Sequence, residues 1–263
     1  MARYWMLLLA AFAASAAADQ RPVLSLVIDD LGYSLDHGLA AIELEGDHTY
    51  AILPESIYSR RLAQRAHQLD KEVILHLPMQ SISSGAAQEP NVLNESMDEN
   101  ELTAEVHSLL DAVPYIRGVN NHMGSHLTEF DFFMRPVMDS IRGYDPRLYF
   151  LDSRTSPLSV AYAQALDAGL PSVRRDVFLD NETNTESIYL QYRIWLEIAR
   201  KHGSAIAIGH PHTETIEVLR NNLADANSEF RFLRVSKLID LRKARKSSRK
   251  RNQQGDDLHA VAD

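Results

Sequence analysis

Asp29 and Asp30 stand side by side at the end of Val23-Leu-Ser-Leu-Val-Ile-Asp-Asp-Leu-Gly32. Adjacent carboxylates repel, so the pair calls for a bound metal or a shared proton. His76 lies in Glu72-Val-Ile-Leu-His-Leu77, and Asn121, His122 and Ser125 in Asn120-Asn-His-Met-Gly-Ser-His126. Asp152 and Ser153 follow Leu148-Tyr-Phe-Leu151, and His210 and His212 belong to Gly209-His-Pro-His212. An Asp and two imidazoles from different strands, with one position left open, make a hydrolytic zinc or related divalent site. Such an ion lowers the pKa of bound water and polarises a carbonyl. A second carboxylate can then act as general base, and a histidine across the pocket can protonate the leaving group. Asp29, Asp30, His76, His122 and His210 supply every part of that list. The chain has no cysteine and no Gly-x-Ser-x-Gly motif, which leaves little support for a thiol or serine nucleophile.

These residues share a position as well as a chemistry. Each sits at or just past the carboxyl end of an apolar run, where α/β enzymes gather their functional groups. The run before Asp29 has almost no alternation, as befits a parallel strand covered on both faces. Further strands are predicted at 48–53, 72–77, 115–119, 148–151 and 205–208, with another at 170–173 or 177–179 and a last one at 230–235. Helices alternate with them: near 34–44, over 56–69, after a capping box at Asp98 to Glu101, after a Thr128 cap, from Ser156 to Gly169, and over 185–202. Seven or eight strand–helix alternations without a nucleotide-binding glycine fingerprint predict an α/β fold, a parallel barrel of the (β/α) type, complete or missing a unit. An open doubly wound sheet is the main alternative.

Composition sets the frame. Residues 1–18 combine one basic residue, a short apolar stretch and a small-residue end at Ala16-Ala17-Ala18, the pattern of a secretory signal peptide. With no cysteine there is neither a disulfide framework nor a lipid-attachment site, so an exported, periplasmic protein is expected, with no transmembrane span once mature. Residues 19–240 suffice for a single domain with a substantial core. Residues 241–263 read as a basic, disordered tail, since seven of the ten residues from Arg242 to Arg251 are Lys or Arg. The whole chain carries a net −9, so removing those seven positive charges leaves −16. An acidic body gives no reason to expect a nucleic-acid partner.

Val27-Ile-Asp29-Asp30-Leu-Gly32, His76-Leu-Pro-Met79, Asn120-Asn-His-Met-Gly-Ser125, Phe150-Leu-Asp-Ser153 and Ala207-Ile-Gly-His-Pro-His212 together resemble the divergent polysaccharide deacetylase family. This is an exported branch of the polysaccharide deacetylase superfamily, and the similarity spans the predicted domain. The resemblance implies a distorted (β/α) barrel of about seven parallel strands. It also implies a metal-dependent hydrolase that removes N-acetyl groups from an amino-sugar polysaccharide such as peptidoglycan. In the roles it implies, Asp29 is the base, His210 the acid and Asp30 a ligand to a divalent metal, most simply zinc. Members of the superfamily place both metal histidines four residues apart after the third strand. Here that strand offers only His76, and the four-residue pair, His122 and His126, comes one strand later. His76 and His122 are taken as the remaining ligands because each ends or follows a strand and would face the rim; His122 with His126 is the rival set. Asn121, Ser125, Asp152, Ser153 and His212 are candidates for binding substrate, and Asp176 for orienting a histidine. A non-catalytic envelope protein that binds glycan or a protein partner through the same rim is the alternative function.

Overall fold

The computed structural model describes residues 19–83 and 91–260, with side chains to Ser248. The expected signal peptide lies outside the described residues. The chain alternates as β1 (Val23–Leu31), α1 (Leu35–Ile42), β2 (Thr49–Ile52), α2 (Ser59–Gln68), β3 (Glu72–Met79), α3 (Glu99–Ala112) and β4 (Ile116–Met123). It continues through α4 (Asp131–Tyr144), β5 (Tyr149–Asp152), α5 (Ala161–Asp167), β6 (Ser172–Arg174) and β7 (Val177–Phe178). The last elements are α6 (Thr185–His202), β8 (Ser204–Gly209), α7 (Thr213–Ala226), β9 (Arg231–Phe232) and α8 (Val235–Ala260).

Strand order across the sheet is β6-β5-β4-β3-β2-β1-β8-β7, and every pairing is parallel. That is the circular order of a (β/α) barrel, interrupted between β6 and β7. The sheet therefore curls into a distorted barrel with one seam rather than opening into a doubly wound sheet. Both halves of the sixth predicted strand exist. Arg175 and Asp176 cross the seam between them, the Arg175 amide donating to the Asp152 carbonyl and the Asp176 amide to the Ile206 carbonyl.

The lack of alternation in β1 has its explanation in two cores. Leu24, Leu26 and Ile28 face outward into the layer shared with the helices. Val23 and Val27 face the barrel interior with Ile74, Leu151, Ile206 and Ile208. Val235, Leu238 and Ile239 join that inner cluster, so the first turns of α8 plug the barrel where its strands begin.

Three local expectations need correction. Thr128 does not cap α4; it sits in a 3-10 turn over Leu127–Glu129, with its hydroxyl donating to the Gly124 carbonyl. Ser156 opens only a turn, and α5 starts at Ala161. The basic segment expected to be disordered continues α8, and its first part is tied down: Arg242 Nε donates to Ser204 Oγ and the Arg245 guanidinium to the Gly203 carbonyl. Lys, Arg, Gln and Ala are good helix formers, and docking of the preceding apolar turns supplies the nucleus that such a sequence lacks alone.

Candidate functional site

In a regular strand Asp29 and Asp30 would point to opposite faces. The register between β1 and β2 shifts between Ile28 and Leu31, and Asp30 takes a left-handed φ of 59°. This irregularity re-aims the chain so that both carboxylates enter one cleft. Gly32 then turns away at φ 149°, where an added Cβ would lie 2.7 Å from Ser56 Cβ. The next two donors are set by strand register. His76 pairs with Asn120 and Pro78 with His122, so His76 and His122 stand on one face of neighbouring strands, two residues out of step.

The result is a compact three-atom face. Asp30 Oδ1 lies 3.0 Å from His76 Nε2 and 3.0 Å from His122 Nδ1, and the two imidazole nitrogens are 3.2 Å apart. Asn120 fixes the chemistry of this contact. Its amide nitrogen donates to Asp29 Oδ1 at 2.9 Å and to Ser153 Oγ at 3.1 Å, which leaves its oxygen to accept from His76 Nδ1 at 2.8 Å. Burial works against a charged His76, but Asp29, Asp30 and Asn120 raise its pKa, so Nε2 donates to the Asp30 carboxylate; a cation taking the place of that proton would meet the Nε2 lone pair. Two ring nitrogens and a carboxylate oxygen converging in this way fit a divalent cation of the zinc type, and the Asn120 contact is the outer support that ligating histidines commonly have. Burial disfavours ionisation of Asp30, but the contacts with His122 and His76 outweigh it and hold the carboxyl far below its usual range.

Asp29 behaves differently. It is 2% exposed, and burial raises its pKa despite opposing contributions from His76, His210 and the Asn120 hydrogen bond. It is a carboxylate with enhanced basicity, 3.7 Å from His76 Nε2. On the other wall, β8 pairs with β1 so that Ile28 faces Gly209, which brings the next residue, His210, beside the aspartates. His210 Nε2 is 3.8 Å from Asp30 Oδ2, while Nδ1 donates to Asp180 Oδ1 at 2.9 Å. Asp180 is buried and also accepts from the His210 amide and from Thr215 Oγ1. Burial works against a charged imidazole, but the Asp180 hydrogen bond and charge, with help from Asp30 and Asp29, raise His210 to about 9. At neutral pH it is a cation holding a transferable proton.

Asp29, Asp30, His76, Asn121, His122, Ser153 and His210 thus line one cleft of about 530 Å³, joined by Arg154, Arg175 and Phe178. Asn121 clamps the rim, donating to the Met123 carbonyl and accepting from the Ser153 amide. Three predicted substrate contacts are placed elsewhere. The Asp152 carboxylate accepts from the Arg154 amide and Ser159 Oγ, and so braces the turn into α5. Ser125 Oγ accepts from the Ile82 amide. His212 is exposed, near His210 and Asp180. His126 is carried out of the cleft by left-handed Met123 and Gly124, and its Nε2 lies 2.8 Å from Glu95. Asp176 orients no histidine; it accepts from the Ile206 amide, and Asp180 fills the role expected of it. Asn120 and Asp180 are the residues sequence reading missed. The only signal for Asn120 was its register opposite His76, and for Asp180 its place at the end of a two-residue strand.

The divergent polysaccharide deacetylase family matches residues 26–239. The uncharacterized protein YibQ of Escherichia coli K12 is 36% identical over 217 residues, 82% of this chain and 67% of its own length. An uncharacterized protein of Haemophilus influenzae is 34% identical over 215 residues, 82% of this chain and 76% of its own. Among solved structures, an uncharacterized protein of Agrobacterium tumefaciens C58 has a TM-score of 0.79 at 23% identity, covering 84% of this chain and 91% of that one.

Proposed function

The chain belongs to the divergent polysaccharide deacetylase family, and from that premise we propose that it is a metal-dependent hydrolase removing N-acetyl groups from an amino-sugar polysaccharide of the cell envelope, such as peptidoglycan. The observation that carries the reading is the face made by Asp30 Oδ1, His76 Nε2 and His122 Nδ1, with a basic carboxylate on one side and a protonated imidazole on the other. A zinc-like ion held by those three atoms would supply an acidified water and a polarised acetyl carbonyl.

The remaining work falls to side chains already in position. Asp29 takes the proton of the attacking water, since burial raises the affinity of its carboxylate for that proton. Asn120 keeps the Asp29 oxygens aimed and holds His76 in the tautomer that presents Nε2. His210 gives its Nε2 proton to the amine nitrogen as the amide C–N bond breaks, while Asp180 keeps Nδ1 protonated and the ring fixed. Asn121 and Ser153 border the reacting centre; Asn121 is engaged with the Met123 carbonyl and the Ser153 amide, and the Ser153 hydroxyl would meet a sugar hydroxyl. An exported location agrees with the amino-terminal eighteen residues, and no helix among the described residues is long and apolar enough to cross a membrane.

The test is Asp29→Asn, assayed for acetate release from N-acetylated oligosaccharides. It lowers the rate by about 10²- to 10⁴-fold while bound metal and thermal midpoint stay near those of the wild type. An unchanged rate would remove Asp29 from the mechanism. A metal-loaded wild type that binds acetylated glycan without releasing acetate would leave the barrel as a binding protein.

A further inference from the structure

A second cleft, of about 560 Å³, runs along the barrel's seam from the end where β6 and β8 begin, where α5 and β6 meet α8. Its floor is apolar, with Leu170, Pro171 and Ile239, and Leu166 stands partly exposed at its edge. Its walls carry four cations, Arg174, Arg242, Lys243 and Lys246, against one carboxylate, Asp176. On α8, Ile239, Arg242, Lys243 and Lys246 fall at i, i+3, i+4 and i+7, so one helix face presents an apolar residue and three cations to the groove. Arg242 is committed to the fold through Ser204 Oγ and lies 3.8 Å from Asp176. Among the described residues no carboxylate lies within 4.0 Å of Arg174, Lys243 or Lys246, and Arg174 lies over the Tyr162 ring at 5.7 Å. The sequence then adds Arg249, Lys250 and Arg251 along the same helix.

This end of the molecule contrasts with the rest. Seven positive charges crowd into ten residues while the remaining chain carries −16, so a negatively charged sheet attracts one pole and repels the other. We propose that this groove and the basic stretch of α8 dock the protein on a bilayer rich in anionic phospholipid. The headgroup phosphates meet Arg174, Lys243 and Lys246, and the exposed Leu166 side chain at the edge meets the glycerol and upper acyl region. The amphiphilic lining, cationic above and apolar below, favours a lipid surface over a soluble polyanion. The proposal does not depend on the hydrolase reading.

The experiment is co-sedimentation of the chain from Asp19 onward with vesicles of phosphatidylcholine containing phosphatidylglycerol. Binding is expected to the anionic vesicles and not to pure phosphatidylcholine, and to fall as salt rises from 0.1 to 0.5 M. Lys243→Gln with Lys246→Gln weakens partitioning about 25-fold, at about fivefold per lost cation. Arg60→Gln with Arg61→Gln removes the same charge from exposed positions on α2 and leaves partitioning unchanged, which separates the groove from overall charge. No binding to anionic vesicles overturns the proposal. So does equal loss in both double variants, wild-type binding by the Lys243/Lys246 variant, or full displacement by millimolar glycerol phosphate, which would mark a site for soluble phosphates.

Discussion

At the scale of single residues, the site works by pushing similar groups in opposite directions. Asp29 and Asp30 are neighbours in sequence, yet the first is made more basic by burial and the second is held ionised by two imidazoles. The separation of the two carboxylates was legible, because adjacent like charges at a strand end demand it. The support beneath them was not. Asp176 and Asp180 are the same residue type and lie equally near a predicted strand, and only the pairing of Val177 with Ala207 and Phe178 with Ile208 decides which one reaches His210. This gives a prediction with a definite sign. In the proposed mechanism His210 must be protonated to act, and Asp180 raises it to about 9, so wild-type kcat/KM should fall as pH passes about 9. In Asp180→Asn, burial is no longer opposed by the carboxylate, and the alkaline limb moves down toward neutral pH with kcat reduced about 10- to 100-fold. An alkaline limb that stays in place would show that another group donates the proton.

At the scale of elements, local signals served where they were self-contained. The Asp98 and Glu101 capping box forms in full, and α6 runs from an Asn184 cap to Gly203 in the left-handed region. They misled where a long-range contact overrides them, as when Thr128 turns back to the Gly124 carbonyl instead of forward into α4. The docking of α8 is the largest such contact. Glu72 is buried at the start of β3 and accepts from Thr49 Oγ1 at 2.9 Å, Tyr149 Oη at 2.8 Å and the Ser236 amide at 3.2 Å, with Ser236 Oγ also donating to it. One carboxylate thus ties three strands' worth of barrel floor to the first turn of the last helix. No sequence pattern announces a buried glutamate of this kind, because its donors lie up to 164 residues away. Replacing Glu72 with Ala strands these donors in a dry interior and should cost about 3 kcal/mol or more in urea unfolding. The metal site, at the other end of β3, should keep its affinity. A loss below about 1 kcal/mol would mean that the apolar plug of Val235, Leu238 and Ile239 holds α8 alone.

At the scale of the whole molecule, the proposed metal site and the cationic groove occupy different parts of the barrel. The carboxyl ends of β1, β3, β4 and β8 bring together residues from positions 29 to 210, α8 closes the opposite end, and the cationic groove lies along the seam beside α8. The architecture was legible from the rhythm of apolar runs, since strands buried on both faces and separated by helices leave few alternatives to a parallel barrel. The seam between β6 and β7 was not, because strands of three and two residues carry no periodicity to read. The choice between ligand sets likewise needed three dimensions. His122 and His126 have the four-residue spacing expected from the resemblance, but a left-handed turn at Met123 and Gly124 lies between them, and it is His76 whose Nε2 lies 3.2 Å from His122 Nδ1.

The central claim is therefore a metal held by Asp30, His76 and His122, and elemental analysis of the purified protein after loading with zinc tests it most directly. The account predicts about one ion per chain in the wild type and in His126→Ala, and little or none in Asp30→Ala, His76→Ala or His122→Ala. An ion that survives loss of His76 but disappears with His126, or a wild type that takes up no zinc, cobalt or nickel, would contradict it.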